Sequence, residues 1–280
     1  MSYKTILVHV DDTSRTATRI RLASALAIKM NAHLLGIADT GASRFIYQDG
    51  NINGVDPSLL SHLEYLRERA TQNIAEFKKQ ADALGVPSYE GDITQDDARG
   101  GISIRARYCD LVVVGQTDPD EPSSAVMVDF PQYMILNSGR PVLIIPYAGE
   151  FSELGGLGIR PLVAWDGSRA ATRAITDAIP FLRAAELVHV AIVNPTADQH
   201  ADQSGTDFAA YLARHGVKLE VSVHTTKIKV GSALLSMASD LNSDLIVMGG
   251  YGHSRLREMI MGGATRTILE SMTVPVLMSH

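Results

Sequence analysis

Asp110-Leu111-Val112-Val113-Val114-Gly115 is written a second time as Asp244-Leu245-Ile246-Val247-Met248-Gly249. Each copy is a short apolar run closed by glycine, the pattern of a strand buried on both faces of a parallel sheet. The repeat extends outward. Pro141-Val142-Leu143 returns as Pro275-Val276-Leu277 at the same offset of 134. Lys4-Thr5-Ile6-Leu7-Val8-His9-Val10-Asp11 is matched by Arg160-Pro161-Leu162-Val163-Ala164-Trp165-Asp166, with Asp11 on Asp166 at an offset of 155. The first half therefore carries 21 more residues between its first and fourth strands.

Between these runs the period changes from strand to helix. Apolar residues recur at spacings of three and four in Arg15–Met30, for instance Leu22, Ala25, Leu26 and Met30, and Arg169–Ala185 is the matching stretch. Pro180 should kink or end that second helix. Strand two is expected at His33–Ala38 and Leu187–Val193, and strand three near Val86–Tyr89 and Val217–His224. Helices are expected at Leu59–Leu84 and Asp207–His215, with Gly85 and Gly216 as C-caps. Alternating strands and helices imply α/β architecture: two tandem doubly wound domains, each with a five-stranded parallel sheet. The first spans 1–147 and the second 159–280, joined by a glycine-rich and acidic linker at 148–158. The two fifth strands, Val142-Leu143-Ile144-Ile145 and Val276-Leu277-Met278, are expected to pair within the chain.

Composition narrows the function. The formal net charge is −6 over 280 residues, which argues against a general nucleic-acid binder. Most of it lies in residues 1–150, at −5, against −1 for the remainder. No apolar stretch approaches the roughly 18 residues of a membrane span, and Asp11 and Asp12 follow the first apolar run too soon for a secretory signal. The single cysteine, Cys109, reads as a buried, inert thiol. A cytoplasmic protein is expected.

Ligands of doubly wound sheets bind beyond the carboxyl ends of strands where strand order reverses. There the second half carries Gly249-Gly250-Tyr251-Gly252, then nine residues, then Gly262-Gly263-Ala264-Thr265. Glycines let backbone approach a ligand closely, and amides opening the next helix point at an anion. A phosphate chain suits this arrangement, and Thr265 can add a hydroxyl. Glycines that merely shape a turn are the alternative. The spacing fits neither a Walker loop nor the dinucleotide fingerprint.

With Val163-Ala164-Trp165-Asp166-Gly167-Ser168 and the glycine series Gly249–Gly263, the chain resembles the universal stress protein family in its tandem form, over nearly its whole length. The resemblance implies a Rossmann-like, adenine nucleotide alpha hydrolase-like fold that binds ATP, or ADP or AMP, with Mg accompanying the nucleotide. It implies that Asp166 hydrogen-bonds adenine or ribose, and that Val193 and Met248 border the adenine. Gly249 and Gly252 would wrap ribose and phosphates, with Gly262, Gly263, Ala264 and Thr265 holding the phosphates. His253 and Arg255 are further candidate phosphate contacts. Gly263 stands where the family usually has Ser or Thr, which removes one hydroxyl.

The first half lacks the glycines. Asp118 takes the second glycine position, and Val128 followed by Asp129 the third. Asp118, Asp120, Glu121 and Asp129 should repel a polyphosphate, so this half is expected not to bind ATP in the family manner. Its insertion, around Gly41–Leu60, reads as a surface loop or a lid. Trp165 is expected to pack in the core, and Lys227 and Lys229 to be solvated. His200, His215 and His224 share no metal-ligand spacing. No catalytic residue is assigned. The expected role is stress-response regulation through nucleotide binding; a slow ATPase and a scaffold with a vestigial site are the alternatives. Adenine nucleotide is the expected partner, with neither nucleic acid nor membrane, and the two domains form an intrachain pseudo-dimer open to homo-oligomers.

Overall fold

A computed structural model describes residues 2–42, 57–121, 129–149, 151, 157–195, 201–252 and 263–280, with residues 57 and 201–204 as backbone. The chain divides into two compact units, Tyr3–Arg140 and Pro141–His280.

The first unit runs β1 (Thr5–His9), α1 (Thr16–Met30), β2 (His33–Asp39), α2 (Pro57–Ala83), β3 (Tyr89–Thr94), α3 (Ala98–Ala106), β4 (Leu111–Gly115) and α4 (Phe130–Asn137). Its strand order is β3-β2-β1-β4, all parallel. The second unit holds β5 (Val142–Ile145), β6 (Pro161–Ala164), α5 (Arg169–Leu182), β7 (Val188–Val193), α6 (Ala201–Arg214), β8 (Leu219–His224), α7 (Val230–Asp240), β9 (Leu245–Gly249), α8 (Ala264–Ser271) and β10 (Val276–Ser279). Its order is β5-β10-β9-β6-β7-β8, parallel except where β5 meets β10. These are doubly wound α/β units, as the repeat implies.

Central strands are apolar because both faces are covered: the first four residues of β4 and of β9 are all buried. The edge strands β3 and β8 are only partly covered, so their sequences carry polar residues. This is why strand three lies at Tyr89–Thr94 rather than near Val86–Tyr89. Val86 instead closes α2: its N–H donates to Ala81 O at 3.0 Å, after Gly85 turns the chain at φ 72°. Gly216, past α6, does the same at φ 78°. α5 continues two residues beyond Pro180 and ends there.

The repeat is also visible in hydrogen bonds. Asp110 Oδ2 accepts from the Lys4 and Thr5 amides at 2.6 and 3.0 Å. Its counterpart Asp244 accepts from Ile159 and Arg160 at 2.7 and 3.1 Å. Each aspartate, set just before strand four, clamps the approach to strand one. The two fifth strands pair antiparallel as expected, with Leu143 opposite Leu277. Cys109 is buried, and burial pushes its thiol up to about 11. Among the described residues no helix is long and apolar enough to cross a membrane. Most of the insertion (residues 43–56) and of the linker (150 and 152–156) lies outside the described residues.

Candidate functional site

In the second unit, β6 and β9 lie side by side, and the chain leaves their carboxyl ends in opposite directions. There a cleft opens. It brings together Asp166, Val193, Met248, Gly249 and Ala264, five of the residues picked out from sequence.

Local chemistry fixes each wall. After β6 the chain turns at Gly167, φ 72°, and the Asp166 carboxylate accepts from the Ser168 amide at 2.9 Å. This turn on its own side chain holds the carboxylate at the strand end. Ser168 then caps α5, its Oγ accepting from Ala171 N–H at 3.1 Å. The buried face of α5 is alanine-rich, with Ala170, Ala171, Ala174 and Ala178, so the helix can approach β9 closely. Gly249 follows from that approach: a Cβ there would lie 2.4 Å from Ala171 N. Its glycine therefore has a packing reason independent of any ligand. Gly252 lies against the capping turn, where a Cβ would stand 2.9 Å from Ser168 Oγ and 3.7 Å from Asp166 Oδ2.

Val193 ends β7. Beyond it Asn194, at φ 49°, accepts from Thr226 N–H at 2.7 Å and donates to Thr226 O at 2.9 Å. These bonds tie together the loops following β7 and β8. Ala264 opens α8 behind Gly263, an N-cap with no side-chain hydrogen bond. The first amides of a helix have no partner within it and carry its positive dipole end. Thr265 is buried, and its Oγ1 accepts from Tyr251 N–H at 3.1 Å; it joins the loop after β9 to α8. Gly262, His253 and Arg255 lie outside the described residues.

The sequence reading missed Ala164, Ala191, Val230 and Leu234, which complete the apolar lining. Small and aliphatic side chains carry no motif; the signal for Ala164 was the repeat itself, which sets it against His9. Trp165, expected in the core, is half-buried: it stacks on Phe208 at 4.3 Å and 9° and also borders the cleft. Among the described lining residues Asp166 is the one ionisable side chain. The result is an apolar slot of flat and small side chains, with a carboxylate at its mouth and helix amides beside it.

The first unit's equivalent region is built differently. His9 Nε2 lies 3.0 Å from Asp39 Oδ2, and Arg19 pairs with Asp11 at 2.7 Å. Asp11 is largely withdrawn from solvent, which alone would raise its pKa. Arg19, His9 and hydrogen bonds from Thr13 and Thr16 outweigh that and hold the carboxyl well below the usual range. Two of the acidic residues expected to repel phosphate are engaged locally: Glu121 accepts from the Ser14 hydroxyl at 3.0 Å, and Asp129 pairs with Arg99.

The sequence profile of the universal stress protein family matches residues 160–280. A universal stress protein from Synechocystis sp. is 30% identical over 140 residues, 49% of this chain and 46% of that protein, so the match spans about half of each. Among solved structures, a universal stress protein from Archaeoglobus fulgidus aligns with a TM-score of 0.75 at 17% identity, over 98% of this chain and 94% of its own. A protein of unknown function from Pseudomonas aeruginosa aligns at 0.60 and 16% identity, over 98% and 92%. These structural likenesses show the fold. Over residues 160–280, the chain is similar to the universal stress protein family.

Proposed function

We propose that the second unit binds an adenine nucleotide (ATP, ADP or AMP) and that the protein acts as a stress-response regulator through the occupancy of this site. The observation that carries the reading is the cleft itself, with Asp166 at its mouth, an apolar lining, and the α8 N-terminus beside it. A purine ring fits between Val193 and Met248. Asp166 accepts from a base amine or ribose hydroxyl. Gly252 lets the backbone pass close to the ribose, and the amides of Gly263, Ala264 and Thr265 meet phosphate oxygens. Mg, when carried in by ATP, would be held largely by phosphate oxygens and water.

The same arrangement favours holding the nucleotide over cleaving it. Hydrolysis needs a group to position water and a cation to stabilise charge on the γ-phosphate. The described lining offers one carboxylate, which the reading places at the base and ribose end.

Mass spectrometry of ligands released from protein purified without heating tests this. Retained adenine nucleotide is the expected result. A ligand-free protein that gives no calorimetric binding signal with millimolar ATP would overturn it.

A further inference from the structure

We propose that the first unit's equivalent of this cleft is filled by its own side chains, so that the chain holds one adenine nucleotide rather than two. The inference rests on the nucleotide-binding reading of the second unit and extends it to stoichiometry.

The repeat and the strand register supply the correspondence. Val8 pairs with Gly36 and His9 with Ile37; Val163 pairs with Val190 and Ala164 with Ala191. His9 therefore stands where Ala164 does, and Asp39, two residues past Ile37, stands where Val193 does. The offset of 134 that aligns strand four also sets Phe130, first residue of α4, on Ala264, first residue of α8. Three positions that line the open cleft, two alanines and a valine, thus carry histidine, aspartate and phenylalanine in the first unit.

These larger side chains meet one another. The His9 and Phe130 rings lie 4.9 Å apart, centroid to centroid, and His9 Nε2 lies 3.0 Å from Asp39 Oδ2. His9 and Phe130 are buried, at 1% and 4% exposure. Beside them Arg19 takes the place of Ala174 by the 155 offset. It donates from Nε to His9 O at 2.7 Å and pairs with Asp11. Its Nη1 lies 2.5 Å from where a Cβ on Gly115 would be, so the guanidinium covers the end of β4. The glycine of strand four accommodates helix backbone in the second unit and this guanidinium in the first. A base cannot enter without displacing a histidine, an aromatic ring and a buried ion pair.

Reciprocal exchange tests the inference, with adenosine as probe so that phosphate repulsion plays no part. Calorimetry should give one adenosine per full-length chain. Ala264→Phe, which copies the first unit, should abolish it. In that background His9→Ala/Asp39→Val/Phe130→Ala should restore one site, with Phe130→Ala alone as the milder variant if the triple fails to fold. Two sites in the unaltered chain, or a site surviving Ala264→Phe, would overturn the proposal. If the unaltered chain binds no adenosine, the nucleotide reading of the second unit fails. The first-unit exchanges then decide separately: adenosine binding gained by them supports a filled cleft, and none gained overturns it.

Discussion

The backbone N–H of Tyr251 donates to Thr265 Oγ1 at 3.1 Å, across the loop that separates β9 from α8. Tyr251 holds a left-handed conformation, φ 57°, which a non-glycine residue adopts at a cost. The bond offsets that cost and sets where the loop begins. Thr265→Val removes the acceptor while keeping the shape, so this bond between loop and helix is lost. Thermal or urea unfolding should show a loss of about 1–3 kcal/mol, whereas Thr265→Ser should stay near the parent. Equal stability in Val and Ser variants would remove this bond from the account.

Gly252 separates space from charge. With Ser168 Oγ 2.9 Å from a Cβ at this position, alanine requires a small shift of the serine. Aspartate adds a carboxylate beside Asp166. Gly252→Ala should weaken ATP binding several-fold in calorimetry, and Gly252→Asp at least tenfold more. Wild-type affinity in the aspartate variant would mean that the loop does not approach the ligand.

Asp11 and Arg19 make the first unit acid-sensitive. A carboxyl held below its unfolded value contributes stability that is fully present above about pH 4 and drains away as pH falls through the folded value. Because the Asp11 carboxyl is held low, unfolding followed by pH should show stability falling below that point. Asp11→Asn should flatten the fall. Arg19→Met leaves a buried carboxylate without its cation and should cost about 3–5 kcal/mol near neutral pH. An acid limb unchanged in Asp11→Asn would contradict the assignment.

β5 covers one side of β10. A fragment of residues 141–280 keeps that strand; a fragment beginning at 159 exposes the Val276–Ser279 edge, which can pair with another copy. Light scattering should find the fragment beginning at 159 dimeric or larger. A monomer would show that the edge needs no partner.

Much of the fold was legible because the central strands repeat. Leu111–Gly115 and Leu245–Gly249 are apolar on both faces, and that signal survives duplication. Strand three was misplaced because an edge strand such as Tyr89–Thr94 needs no apolar run, while Val86 is apolar for a different reason, closing α2. The glycines drew attention to the loop after β9, although Gly249 is required by the packing of α5. The alanines that make room in the cleft were silent individually. They become informative only when Ala164 is set against His9 and Ala264 against Phe130, because what distinguishes the two halves is volume and not motif. The acidic run of the first half is a signal of charge at the phosphate end; the structure adds filled space at the base end of the same unit.

Trp165, the one tryptophan of the chain, borders the cleft and stacks on Phe208, so its fluorescence reports on that site alone. Titrating the intact protein with ATP tests the central claim most directly. The account predicts a saturable change in Trp165 emission that Gly252→Asp abolishes. An emission spectrum unmoved by millimolar ATP, from protein shown to carry no nucleotide beforehand, would contradict it.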